Sequence, residues 1–134
     1  MSWTSFKNNN SEIKSRPFSI RERIASIRFA FDGVRQFVLR EHNARIHLAA
    51  TILVFAMAYR LGLSRNEIIV LVIITGAIWA AEIFNTAIEK VMDHVSPQYH
   101  PEVKYIKDLS AAAVLMTAIV AAIVGIFIFI PKFF

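Results

Sequence analysis

Two carboxylates and an amide interrupt the most apolar part of this chain. Glu82, Asn85 and Glu89 follow thirteen residues, at 68–80, that carry no charge. Ionisable side chains are costly in hydrocarbon, so in such a setting they mark a functional site by default. On a helix, spacings of three and four residues project all three from one side, and Asp93 extends the same stripe.

The chemistry of this stripe follows from the repulsion between its carboxylates. Neighbouring carboxylates stay ionised when a cation or a basic residue lies between them. Mg²⁺ is a natural candidate, since it binds one or two protein carboxylates together with substrate phosphates. Further charges precede the neighbouring apolar segments: Arg40, Glu41, Arg45, Lys107 and Asp108. If the helices bundle, these charges meet the stripe, and the resulting site suits phosphoryl transfer, which depends on positioning and charge neutralisation.

Other site types find less support in the residues. None of the four glycines begins the G-x-x-x-x-G-K sequence of a phosphate-binding loop. The four histidines include no pair at i, i+4 spacing, which argues against a histidine metal site. Two alternatives from other classes remain: a small transporter subunit in which the stripe conducts protons or cations through the bundle, and a structural membrane subunit.

Composition indicates a membrane protein. The 134 residues are 56% hydrophobic and 19% charged, and a soluble domain of this size needs more polar residues to cover its surface. Cysteine is absent, which excludes a disulfide framework, a thiol nucleophile and a zinc–cysteine site. Residues 1–45 hold nine Lys and Arg against four Asp and Glu. Such an excess beside membrane spans favours anionic headgroups over nucleic acid as the partner.

The elements that must position the stripe are apolar helices. The pattern predicts an all-α membrane protein with three transmembrane helices at about 44–62, 66–92 and 108–130. The last contains 22 uncharged residues, Leu109 to Ile130, which matches the roughly 20 needed to cross the hydrocarbon core. Because basic residues favour the cytoplasmic side, we expect the N-terminus and the Glu82 stripe to lie there.

The N-terminal part is predicted to contain a flexible polar tail at 1–17 and a surface helix at about 19–40. Ser19 and Glu22 have the spacing of a capping box. Apolar residues then recur every three or four positions: Ile24, Ile27, Phe31, Val34 and Val38. Arg21, Arg28 and Arg35 run beside this apolar face, as expected for a helix lying among lipid headgroups. An ordinary amphipathic helix packed on protein is the alternative.

Three motifs resemble one known family. They are "REHNARIH" at 40–47, "E-x-x-N-T-A-I-E" at 82–89 and "VSPQYHPEVKYIKDLSAAAVL" at 95–115. In this order and at these separations they look like the small integral-membrane prokaryotic diacylglycerol kinases. The resemblance covers roughly residues 24–130, so that 18–134 is expected to form one membrane lipid kinase domain.

The resemblance implies a homotrimer in the cytoplasmic membrane, with three transmembrane helices per chain, that transfers the γ-phosphate of ATP, with Mg²⁺, to a lipid alcohol. Glu82 is similar to the catalytic base, and Glu41 and Glu89 resemble the carboxylates that hold the metal–nucleotide complex. Further residues are implied to bind the nucleotide: Asn85, Tyr99, His100, Lys107, Asp108 and Arg23. Arg45 and Glu82 are expected to meet the lipid substrate.

The identity of the lipid follows less directly from the motifs. Diacylglycerol, giving phosphatidic acid in phospholipid metabolism, is expected as the family's usual acceptor. The stretches "NARIH", "SPQYHP" and "VKYIKD" resemble the branch of the family that includes undecaprenol kinases. Undecaprenol is therefore the alternative acceptor, since both lipids offer one primary alcohol at the membrane interface.

Overall fold

The computed structural model of the protein describes residues 19–134, and within that range the chain is helical without strands. The elements are α1 (Ile20–Arg40), α2 (His42–Arg60), α3 (Arg65–Val95), α4 (Pro101–Phe129) and a 3-10 turn (Ile130–Lys132). The predicted tail at 1–17 lies outside the described residues. The described residues divide into two compact units, one up to Gly33 and one at 34–134. The second unit contains α2, α3 and α4.

Helix α1 begins as the sequence predicts. The backbone N–H of Glu22 donates to the Ser19 hydroxyl at 3.4 Å, so Ser19 caps the first turn. Ile24, Ile27 and Phe31 of the predicted apolar face are exposed. The helical prediction for 19–40 is confirmed, and the placement of this face in a lipid headgroup layer stays a prediction.

Turn residues determine where α3 begins. Gly62 adopts a positive φ of 61°, a conformation that glycine adopts without steric cost, just after α2 ends. Ser64 and Glu67 then form a full capping box, in which the Glu67 carboxylate accepts from the Ser64 N–H at 2.7 Å and the Ser64 hydroxyl accepts from the Glu67 N–H at 3.4 Å. This reciprocal pair satisfies two backbone donors at the start of a long apolar helix.

Two helices are long and apolar enough to cross a membrane, Arg65–Val95 and the segment Pro101–Lys132. Only 11% and 6% of their most apolar windows are buried inside the chain. A core helix of a soluble protein hides such a surface against its own chain, whereas these surfaces are exposed, as expected for helices that contact lipid or other chains. Helix α2 occupies the predicted first span but does not meet the same criterion. A third transmembrane helix therefore remains a prediction.

Helix α3 packs against both α2 and α4. At one end, a small apolar cluster joins all three helices and consists of Ala58, Leu63, Leu71 and Ile128. Lys132 reinforces this end through an ion pair with Glu67 at 3.0 Å. The polar stripe of α3 lies toward the opposite end, where α2 and α4 begin. The fold thus separates an apolar anchor from a charged region.

Candidate functional site

Glu82 is the most buried charged residue in the described part of the chain, with 4% of its surface exposed. Its Oε1 lies 2.8 Å from Nε2 of His47 on α2. Its Oε2 is buried and has no hydrogen-bond partner within residues 19–134. The two oxygens of one carboxylate therefore have different environments, since one contacts His47 and the other has no partner in the described residues.

A second contact between the same helices holds this pair in register. The Thr51 hydroxyl donates to the backbone carbonyl of His47 at 2.7 Å, and the indole N–H of Trp79 donates to that hydroxyl at 3.0 Å. Phe37 packs edge-on against Trp79, with ring centroids 6.1 Å apart. Since Trp79 lies one helical turn before Glu82, the clamp fixes the part of α3 that presents the carboxylate.

Asn85 connects α3 to α4. Its Oδ1 lies 2.7 Å from the hydroxyl of Ser110, and both residues are buried. The same hydroxyl also lies 2.8 Å from the backbone carbonyl of Lys107, so the two acceptors share one hydrogen. The Asn85 amide nitrogen donates to Glu89 Oε1 at 3.3 Å. A continuous polar chain therefore runs from α4 to a carboxylate at the edge of the site.

Every carboxylate of the predicted stripe has a neighbour that can donate a hydrogen bond. Glu82 has His47, Glu89 has Asn85, and Asp93 accepts from Lys107 at 2.9 Å. Residues of the stripe contact two different helices: Glu82 contacts α2, whereas Asn85 and Asp93 contact α4. The amide and basic partners reduce the repulsion that the sequence pattern implied.

Glu41 lies at the junction between α1 and α2. Its backbone is extended, with φ −96° and ψ 129°, and its carboxylate pairs with Lys90 of α3 at 3.0 Å. This ion pair places Glu41 beside α3, next to the residue that follows Glu89, and a metal–nucleotide site shared by Glu41 and Glu89 stays a prediction. Arg45, assigned to the lipid substrate, is exposed one turn further along α2.

The loop between α3 and α4 borders a cavity of about 310 Å³. Tyr99, His100, Lys107 and Asp108, all assigned to the nucleotide, line it together with Lys104. His100 caps α4, because its Nδ1 accepts from the Glu102 N–H at 3.2 Å. Lys104 pairs with Asp108 one turn along the helix. The side chains of these five lining residues can bind phosphate, ribose or base.

The described residues contain no group of three or more histidine or acidic side chains arranged to hold a metal ion. Mg²⁺ in nucleotide sites commonly uses one or two carboxylates and completes its shell with phosphate oxygens and water. Glu41 and Glu89 are partly exposed carboxylates, so they suit that role. Arg23 lies on α1 in the first compact unit, and its nucleotide role stays a prediction.

Sequence reasoning missed several polar residues that the site uses. The sequence patterns assign His47 no role beyond a histidine metal site, and they assign none to Thr51 or Ser110, which lie within apolar segments. Trp79 and Lys90 had no assigned role. A polar side chain inside a predicted span was the available signal, since such a group must find a partner in hydrocarbon. The identity of that partner was not readable from the sequence.

Comparison with known proteins agrees with the resemblance of the motifs. The family description of the prokaryotic diacylglycerol kinases matches residues 28–129. An undecaprenol kinase of Bacillus subtilis is 33% identical over 100 residues, which are 75% of this chain and 81% of that protein. A diacylglycerol kinase of Synechocystis is 36% identical over 109 residues, which are 81% of this chain and 62% of that protein.

A diacylglycerol kinase of Escherichia coli is 30% identical over 95 residues, which are 71% of this chain and 78% of that protein. The matched range 28–129 includes every assigned site residue except Arg23. It also includes the His47–Glu82 contact and the polar chain through Asn85. The chain therefore belongs to the prokaryotic diacylglycerol kinase family, a family of lipid kinases.

Proposed function

We propose that this protein transfers the γ-phosphate of ATP to the hydroxyl of a membrane lipid alcohol. The observation that carries the proposal is the Glu82 carboxylate, which is 4% exposed, tethered through Oε1 and without a partner at Oε2. A buried acceptor atom next to exposed apolar helices is suited to a substrate that arrives from the membrane. The family match supports the same reaction class.

In the proposed transfer, Glu82 is the general base, and its Oε1 stays bound to His47. Oε2 accepts the proton of the lipid hydroxyl while the lipid oxygen forms a bond to the γ-phosphorus. The bond between that phosphorus and the β–γ bridging oxygen breaks, and ADP leaves with the electron pair. General-base catalysis of this kind contributes about 10² to 10⁴ in rate. Arg45, which is exposed on α2, is proposed to meet the lipid.

The nucleotide is proposed to occupy the cavity between the α3–α4 loop and the start of α4. Lys107 supplies positive charge for the phosphates, and Tyr99 and His100 border the same space. Glu41 and Glu89 would hold Mg²⁺, which neutralises phosphate charge when bound. Asn85 orients Glu89 through its amide, which keeps this carboxylate directed by the α4 contact.

The same proposal includes a multi-pass protein in the cytoplasmic membrane, with its N-terminus and active site on the cytoplasmic side, and assembly as a homotrimer. Diacylglycerol is proposed as the first acceptor and undecaprenol as the alternative. Relatives of both names match at similar identity, 33% for the undecaprenol kinase and 36% for the Synechocystis diacylglycerol kinase. Both acceptors present one primary hydroxyl, so the catalytic residues serve either.

The test is an acceptor screen with γ-labelled ATP and purified protein in bilayers that contain diacylglycerol, undecaprenol or a short-chain alcohol. We expect label on at least one long-chain lipid alcohol and a loss of nearly all transfer in Glu82→Gln, because an amide cannot accept the hydroxyl proton. The variant should retain nucleotide binding. Folded protein that labels no lipid would overturn the proposal, and ion flux across the same vesicles would then test the transporter alternative.

A further inference from the structure

We propose that His47 is a positioning residue for Glu82, and that it donates its Nε2–H to Oε1 so that Oε2 faces the lipid hydroxyl. The inference rests on the proposed function, since it concerns how the base of that reaction is held. His47 and Glu82 are 35 positions apart in the sequence. Their contact therefore exists only because α2 packs against α3.

The first step of the argument concerns the two oxygens of Glu82. The terminal torsion of a glutamate is broad and roughly two-fold, so a free carboxylate exchanges its oxygens readily. A donor fixed at 2.8 Å from Oε1 removes that freedom, because a hydrogen bond to an ionised acceptor is short and strong. The remaining oxygen then keeps one direction, which general-base catalysis requires.

The second step concerns the surroundings of His47. Its side chain is 24% exposed, against 5% for Glu82, so the ring lies between the buried base and the edge of the bundle. Thr51 and Trp79 anchor the backbone turn that carries the ring. The imidazole is thus held from its own helix and from α3, as expected for a group that orients another.

The third step concerns the apolar surroundings of the His47–Glu82 hydrogen bond. An apolar cavity of about 100 Å³ adjoins His47 and is lined mainly by aliphatic and aromatic side chains, among them Val54, Ile78 and Trp79. Hydrogen bonds gain strength in such a medium, because the low local dielectric does not screen them. The His47–Glu82 bond therefore lies where a donor has a large effect on the orientation of the carboxylate.

The experiment compares two variants of His47 whose side-chain nitrogens extend to different distances from the backbone. The amide nitrogen of Gln extends about as far from the backbone as Nε2 of His, whereas that of Asn is one methylene shorter. We expect His47→Asn to lower kcat for lipid phosphorylation by about 10- to 100-fold, the size found when an orienting partner is removed. His47→Gln should recover most of that loss. KM for ATP should stay within about twofold in both variants, because the nucleotide contacts are unchanged.

A double variant separates positioning from a general structural role. If His47 acts through Glu82, adding His47→Asn to Glu82→Gln should not lower the residual rate further. A multiplicative loss in the double variant would overturn the inference. So would equal loss in His47→Asn and His47→Gln, or a full rate in His47→Asn.

Folding is followed in each variant by gel filtration and thermal unfolding in the same detergent. If His47→Asn does not fold, His47→Leu, which also lacks a donor, and His47→Leu/Glu82→Gln replace it in the same comparison. Wild-type protein that phosphorylates no lipid alcohol would defeat the proposed function itself. An active wild type whose kcat does not depend on His47 would overturn this inference alone.

Discussion

The hydroxyl of Ser110 lies 2.7 Å from Oδ1 of Asn85 and determines which way this buried amide points. With Oδ1 directed at α4, the amide nitrogen of Asn85 is left to donate to Glu89. A residue of α4 thereby orients a carboxylate on α3 without touching it. The contact also ties the two helices together at the charged end of the fold.

Ser110→Ala should destabilise the protein by about 1–3 kcal/mol, because Asn85 Oδ1 stays buried after it loses its donor. The measurement is the free energy of unfolding in mixed micelles under increasing SDS. Thr117→Val is the matched control on the same helix, since within residues 19–134 its hydroxyl bonds to the carbonyls of Ala113 and Val114 of its own helix. We expect that control to change stability by less than about 0.5 kcal/mol. Equal losses in both variants would contradict the role given to Ser110.

Lys107 pairs with Asp93 at 2.9 Å, and we expect removal of the two partners to change KM for ATP differently. Lys107→Met should raise KM for ATP at least about tenfold, since a phosphate contact is lost. Asp93→Asn frees the lysine and should leave KM unchanged or lower it. Steady-state kinetics at fixed lipid concentration measure both values.

Lys132→Met is the control for net charge, because it removes the same charge at the opposite end of the fold. Its KM for ATP should match that of the wild type. A rise in KM for Asp93→Asn comparable to that for Lys107→Met would show that the ion pair itself, rather than the lysine, supports nucleotide binding.

Glu89→Gln should weaken binding of the Mg²⁺–ATP complex, because Mg²⁺ prefers a charged carboxylate oxygen over an amide. Isothermal titration of ATP at several Mg²⁺ concentrations measures the effect, which should exceed that of Glu67→Gln at the opposite end of α3. Identical affinities in wild type and Glu89→Gln would remove Glu89 from the metal site and leave Glu41 as the assigned ligand.

Thr51→Val removes the hydroxyl that accepts from Trp79 while keeping a side chain of similar shape. We expect a loss of about 1 kcal/mol in stability, since a partly buried indole N–H loses its partner. Thr51→Ser keeps the hydroxyl and should stay closer to the wild type. Fluorescence of Trp79 in a Trp3→Phe background reports the change in its surroundings, and no spectral change would argue against the contact.

Ser64→Ala should cost about 1 kcal/mol of stability, because the N-cap of α3 is lost. Ser64→Asp keeps an acceptor at this position and should recover most of that stability. The kcat of the folded fraction should not change in either variant, since Ser64 lies at the end away from Glu82. A drop in kcat without a drop in stability would mean that the two ends are coupled.

Much of the architecture follows from local sequence pattern. The S-x-x-E spacing at Ser19, the uncharged residues at 68–80 and the 22 residues from Leu109 to Ile130 predict helices that the structure confirms over 19–134. The observed start of α4 lies several residues before the predicted start of the third span, because His100 caps the helix and Pro101 begins it. These features depend on neighbours within one turn, which the sequence displays directly.

The partners of the polar residues depended on the tertiary structure. The sequence determined that Glu82, Asn85 and Asp93 share one side of a helix, because a period of 3.6 residues is local. It did not determine that Glu82 meets His47 on α2 while Asn85 meets Ser110 on α4. Those pairs depend on the rotation and register of packed helices, which many apolar contacts across the bundle set together.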